Sequence, residues 1–190
     1  DYDHRAGKIA TRSADTVLAR AAEKGLVVDW VLETHAHADH LTAARHIKSR
    51  TGAKVVIGEH IRDVQRIFGK LFDAADVSGE GREFDRLVRD GERLKLGGLE
   101  IEVMHLPGHT PADVAYRIGD AVFVGDTLFA MGCGRLFEGT AEQMFRNMQY
   151  FATLPPETQV YCAHEYTQAN GKFALSVEPD NAALQARMAE

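Results

Sequence analysis

Thr34-His35-Ala36-His37-Ala38-Asp39-His40 packs three histidines and a carboxylate into six consecutive positions, 35 to 40. Burying that many polar rings and a charge as mere structure would be costly. The spacing has a use instead. His35 and His37 lie two apart in an extended segment, so both rings can face one point. Asp39 and His40 fall where the chain turns toward a helix and can face a second point nearby. Imidazole and carboxylate suit zinc, iron or manganese. Two such metals about 3.5 Å apart can clamp a bridging hydroxide and the oxygen under attack.

The flanks give the run its setting. Val27 to Glu33 reads as a buried strand leading into it. Leu41 to Arg50 reads as a helix, with Leu41, Ala44 and Ile47 on one face and Gly52 as its stop. Lys54 to Ile57 is a short strand, and Ile61, Val64, Ile67, Phe68, Leu71 and Phe72 fall at helical spacing. Strand-like runs follow at Arg93 to Leu96, Leu99 to His105, Val114 to Ile118 and Ala121 to Val124, with Gly119-Asp120 as a hairpin turn. Thr140 and Gln143 make a capping box for a helix that Pro155 ends. Val160 to Ala163 is a last strand, and Asp180 or Asn181 caps a final helix.

Three more fragments place ligands at strand ends or turns. Leu106-Pro107-Gly108-His109-Thr110 offers His109 in a tight turn, Phe123-Val124-Gly125-Asp126-Thr127 offers Asp126, and Tyr161-Cys162-Ala163-His164-Glu165 offers His164. Each is weak alone; together, in this order, they are specific. His4, His46, His60 and His105 read as ordinary structural or surface histidines.

Composition narrows the function classes. The 190 residues suffice for a core of their own. The formal net charge of −6, without a basic stripe, reads against nucleic acid as a partner and against a nuclease. No apolar run approaches the roughly 20 residues of a membrane span. The first residues show no charged-then-apolar pattern, so no signal peptide is expected in them, and a start at Asp1 rather than Met suggests an upstream N-terminus. Cys133 and Cys162 cannot build a disulfide framework, which favours a reducing cytoplasm. Cys133 reads as a loop packing residue and Cys162 as buried.

The order His-x-His-x-Asp-His, Pro-Gly-His, Gly-Asp and strand-end His resembles the metallo-β-lactamase superfamily over nearly the whole chain. The resemblance implies an α/β (α+β) chain, a single domain over residues 1–190, folded as a four-layer αββα sandwich with metals at one sheet edge. It implies one metal on His35, His37 and His109 and another on Asp39, His40 and His164, with Asp126 bridging. Asp39 and Asp126 then count as catalytic. Relatives have strands before the position of Asp1, and one branch has a helical domain beyond Glu190, so the chain is expected to lack both.

Two branches are represented. From about Gly132 onward, Gly132-Cys133-Gly134-Arg135-Leu136-Phe137-Glu138-Gly139-Thr140, His164-Glu165-Tyr166-Thr167 and Val177-Glu178-Pro179-Asp180-Asn181 resemble glyoxalase II, the hydroxyacylglutathione hydrolase. That branch implies two divalent metals, zinc foremost with iron or manganese as options. It also implies a bridging hydroxide that cleaves S-acylglutathione thioesters. Arg135, Phe137 and Tyr166 take the positions that contact glutathione, Phe137 lacking the hydroxyl of a tyrosine found there in some members. The segment from Asp1 to about Phe129, with Asp1-Tyr2-Asp3 and Val124-Gly125-Asp126-Thr127-Leu128-Phe129, resembles a persulfide dioxygenase. That branch implies a single Fe(II) on His35, His109 and Asp126 oxidising glutathione persulfide. A third reading is a metal-binding remnant without activity. Both enzyme readings share a small glutathione conjugate as partner; oligomeric state is left open.

Overall fold

The apolar run Val55-Val56-Ile57 forms the middle of a three-stranded sheet in the computed structural model, which describes residues 1–3 and 5–190. The chain divides into two units, Asp1–Val88 and Arg89–Glu190.

The first unit opens with a hairpin of β1 (Tyr2–Asp3) and β2 (Lys8–Ile9), then helix α1 (Arg12–Glu23). Strands β3 (Trp30–Leu32), β4 (Lys54–Gly58) and β5 (Arg86–Val88) pair in parallel, in that order. Helices α2 (Ala44–Thr51) and α3 (Ile61–Leu71) connect them. A parallel strand is covered on both faces, so its residues are apolar without alternation; Val55, Val56 and Ile57 are all buried. Helix α2 ends at Gly52, whose φ of 78° is the left-handed cap that glycine accepts without strain. The helix begins at Ala44 rather than Leu41 because the Thr42 hydroxyl accepts from the Ala44 N–H and donates to Glu33. The strand expected over Val27 to Glu33 is laddered only at Trp30–Leu32, and Val27 is exposed. In α3, Ile61 and Val64 are buried, while Leu71 and, just past the helix end, Phe72 are exposed.

The second unit holds an antiparallel meander of β6 (Arg93–Leu96), β7 (Leu99–His105), β8 (Val114–Ile118) and β9 (Ala121–Gly125). The Gly119-Asp120 turn joins Ile118 to its partner Ala121, as expected. A small ribbon of β10 (Leu128–Phe129) and β11 (Gly132–Cys133) follows. Helix α4 (Ala141–Ala152) starts with both halves of the Thr140/Gln143 capping box. Strand β12 (Gln159–Cys162) adds in parallel to the outer side of β9. Helices α5 (Thr167–Val177) and α6 (Ala182–Ala189) close the chain, with Asn181 rather than Asp180 accepting the capping bond from Leu184. Alternation along β9 sends Val122 and Val124 into a core with Met104, Leu106 and Ala115, against Tyr150, Phe151 and Leu154. Phe123 points outward and stacks on Tyr161, ring centroids 4.9 Å apart.

With six helices and both parallel and antiparallel strands among the described residues, the chain is of the α/β class. Cys162 is exposed, correcting the buried position expected of it. It ends an edge strand whose residues are all exposed, and its thiol donates to the His164 carbonyl. Cys133 is likewise exposed, and partial burial of its thiol pushes the pKa up. Among the described residues no helix is long and apolar enough to cross a membrane.

Candidate metal centre

Seven side chains able to ligate a metal are distributed over the two units: His35, His37, Asp39 and His40 in the first, His109, Asp126 and His164 in the second. In the first unit they leave the C-terminal end of β3, where the ends of parallel strands commonly present ligands. The His35 ring meets that of His37 edge-on at 5.1 Å between centroids and that of His40 at 4.4 Å. His35 is 4% exposed, and its Nδ1 lies 3.2 Å from the Thr34 hydroxyl. The His40 N–H donates to the His37 carbonyl, so a tight turn carries the chain past the rings. Asp39 is exposed, with its carboxylate 3.9 Å from His40 Nε2. A cavity of about 520 Å³ lies beside them, lined by Glu33, His35, His37, His40 and the apolar Val55 and Ile57.

In the second unit His109 and Asp126 are 5% and 6% exposed. Asp126 Oδ2 stands 3.5 Å from His109 Nε2 and 3.4 Å from His164 Nε2. Both distances exceed the roughly 2.7–2.9 Å of a charge-assisted hydrogen bond. One carboxylate oxygen and two imidazole nitrogens converge here, a donor set that fits a divalent metal. His109 Nδ1 lies 2.7 Å from the Arg135 carbonyl. His164 stacks on Tyr166 at 4.9 Å, and Phe129 meets both rings edge-on.

The turn bearing His109 is held by side chains that the sequence did not single out. Asp113 accepts from the Thr110 N–H at 2.7 Å and the Thr110 hydroxyl at 2.6 Å. Burial raises the Asp113 carboxyl pKa to about 6, against the lowering effect of those hydrogen bonds. Asn147, buried on α4, donates to the carbonyls of Leu106 and Pro107, each at 3.0 Å. The polar Asn147 among apolar helix positions was the one available signal. Glu138 has both carboxylate oxygens buried without a hydrogen-bond partner among the described residues. Its burial raises its pKa, with nearby His109 opposing.

The three glutathione-contact candidates all lie in the second unit and are exposed. The Arg135 guanidinium sits 4.2 Å above the Phe137 ring, a cation–π contact that holds it in place. Phe137 in turn meets His109 edge-on at 6.0 Å. Tyr166 precedes α5 and reaches His164 as described. Of the ordinary histidines, His46 pairs with Asp15, His60 with Asp63, and His105 with the Pro111 carbonyl. His4 lies outside the described residues.

Residues 4–164 match the family described as the metallo-beta-lactamase superfamily, and residues 165–190 match the hydroxyacylglutathione hydrolase C-terminus. A probable metallo-hydrolase of Burkholderia pseudomallei (strain 1710b) is 44% identical, covering 90% of this chain and 63% of its own length. The hydroxyacylglutathione hydrolase of Methylococcus capsulatus is 42% identical, covering 97% of this chain and 69% of its own. The crystal structure of ETHE1 from Myxococcus xanthus superposes with a TM-score of 0.66 at 34% identity, covering 83% of this chain and 63% of that one. The chain spans between 39% and 69% of the length of the curated relatives it matches.

Proposed function

The chain belongs to the metallo-beta-lactamase superfamily, a metallo-hydrolase family, and on that premise we propose that it cleaves S-acylglutathione thioesters as a hydroxyacylglutathione hydrolase does. One observation carries the choice of hydrolysis. The hydroxyacylglutathione hydrolase C-terminal match begins at Glu165, immediately after the superfamily match and the ligand His164. Relatives bearing that name, about two-fifths identical, support the same reading.

In this proposal residues 1–190 act as one domain, and the two half-sets of ligands serve one centre. His35, His37 and His109 would hold one divalent metal, Asp39, His40 and His164 the other, with Asp126 shared. The imidazole and carboxylate donors put zinc first, and iron or manganese suit them also. When bound, such metals lower the pKa of water from about 15.7 toward 7 and polarise a carbonyl. The chain's own groups do the rest. Asp39, exposed beside His40, orients the attacking water and takes its proton. Asp126 sets one carboxylate oxygen between the His109 and His164 rings, 3.5 and 3.4 Å from their Nε2 atoms. Arg135, braced on Phe137, pairs with a glutathione carboxylate, and Tyr166 lies against the same conjugate. Two free thiols support a reducing, cytoplasmic setting.

Metal analysis with a thioester assay tests the proposal. Two zinc-class ions per chain and release of free glutathione are expected, and Asp126→Ala should lower thioester cleavage more than about 100-fold. Full activity in that variant would remove the ligand assignment. A second reading, the mononuclear-iron persulfide dioxygenase, draws support from the motifs before Phe129 and from the likeness to ETHE1. One iron per chain with oxygen uptake on glutathione persulfide would establish it in place of hydrolysis.

A further inference from the structure

The segment Gly134–Gly139 carries two of the residues assigned to glutathione, but its backbone does something else. The Arg135 carbonyl lies 2.7 Å from His109 Nδ1. A carbonyl oxygen can only accept, so Nδ1 must carry the proton. In the neutral ring the lone pair is then on Nε2, the nitrogen that faces Asp126 Oδ2 at 3.5 Å. With the proton on Nε2 instead, that nitrogen would donate toward Asp126 and be closed to a metal.

Further contacts hold the carbonyl where it is. The Phe137 N–H donates to the His109 carbonyl at 3.3 Å, so the segment grips the ligand from ring and backbone together. A Cβ on Gly134 would stand 1.9 Å from the Asp126 carbonyl oxygen and 3.1 Å from the His109 ring. A Cβ on Gly139 would stand 2.2 Å from the Gly108 carbonyl oxygen. Real Cβ atoms do not approach backbone that closely. The two glycines therefore let the segment lie directly on the two turns that present His109 and Asp126.

We propose that Gly134–Gly139 is a positioning clamp for the metal centre, in which the Arg135 backbone carbonyl, independently of the Arg135 side chain, fixes His109 in its metal-accepting tautomer. The proposal rests on His109 being a metal ligand, but not on which substrate the chain cleaves. It divides Arg135 in two: the carbonyl serves the metal, the guanidinium the substrate.

Two measurements on the full chain test it without turnover. Long-range proton–nitrogen NMR of the metal-free protein at pH 8 should show His109 protonated on Nδ1. Finding the proton on Nε2 would overturn the proposal with no variant needed. Zinc affinity by chelator competition should fall about 10- to 100-fold in Gly134→Ala, the size typical for losing a group that orients a metal-ligating histidine. In Arg135→Ala, which keeps the carbonyl, zinc affinity should stay within about threefold. An unchanged affinity in Gly134→Ala with native circular dichroism, or an equal loss in Arg135→Ala, would refute it. If zinc binds as expected while no thioester is cleaved, the clamp stands and the hydrolase reading falls.

Discussion

Replacing Thr110 with Val keeps the shape of the side chain and deletes only a hydroxyl, in a place where nothing can substitute for it. Thr110 and Ala112 are 0% exposed and Asp113 is 2% exposed. The hydroxyl donates to Asp113 at 2.6 Å and accepts from the Ala112 N–H at 3.1 Å. Losing a hydrogen bond to a charged group costs about 1.5–3 kcal/mol, and a stranded buried N–H about 1–3 kcal/mol. At pH 8 the variant should therefore be destabilised by about 2.5–6 kcal/mol. The loss should depend on pH. Burial lifts the folded-state Asp113 carboxyl from 3.8 to about 6, while the Thr110 bonds pull against it. An acid whose folded pKa is raised is stabilised in the fold when protonated. Its contribution to stability thus falls as pH climbs from 3.8 through about 6. Removing the hydroxyl raises the folded pKa further, so the fall continues to higher pH. At pH 5 Asp113 is largely protonated, the ionic part of the lost bond disappears, and the deficit should shrink by about 1–2 kcal/mol. Urea unfolding of both proteins at pH 5 and pH 8, with a chelator present and equal m-values, reads this directly. A deficit below about 1 kcal/mol at pH 8, or one identical at both pH values, would refute the reasoning.

Asn147→Ala should cost about 2–4 kcal/mol, because it leaves the Leu106 and Pro107 carbonyls without their donor; a smaller loss in denaturant unfolding would remove Asn147 as the brace of the His109 turn. Glu83 accepts from Ser78 and Gln65, and the Ser78 N–H above all draws its carboxyl down to about 2. A depressed acid stabilises the fold above its unfolded pKa of 4.5 and loses that contribution as pH falls through about 2. Glu83→Gln should therefore be less stable than the parent at pH 7 and converge with it near pH 2, as followed by circular dichroism on heating. Arg135→Ala should raise KM for a glutathione thioester more than it lowers kcat, since the guanidinium meets a remote part of the substrate. An unchanged KM would take the Arg135 side chain out of the substrate site.

Much of the architecture was legible from local patterns. Strand-like runs separated by turn residues mark β6 through β9, and the antiparallel meander bears them out. The Thr140/Gln143 capping box and the Gly52 stop are chemistry of adjacent residues, and both are present as read. The local patterns leave out the helices α1 and α5 and the two-residue strands of the β1–β2 hairpin and the β10–β11 ribbon, which are too short to show a period, and they leave out β5. Strand β5 has only Arg86-Leu87-Val88, too short to show a period, and exists because β4 offers a parallel edge. Cys162, next to His164 at a strand end, reads as buried, yet its strand lies at the outer edge of the sheet.

The same division runs through the metal centre. The sequence by itself determined the donor types, their order along the chain and the superfamily they imply, because imidazole and carboxylate chemistry and ligand spacing are written in adjacent residues. Only the tertiary structure decided how those donors are oriented. Asn147 reaches the His109 turn from 40 positions away, and the Arg135 carbonyl reaches His109 from 26. A backbone carbonyl is the same in every residue, so no sequence motif can announce which one will set a ring's tautomer; folding alone brings it within hydrogen-bonding distance.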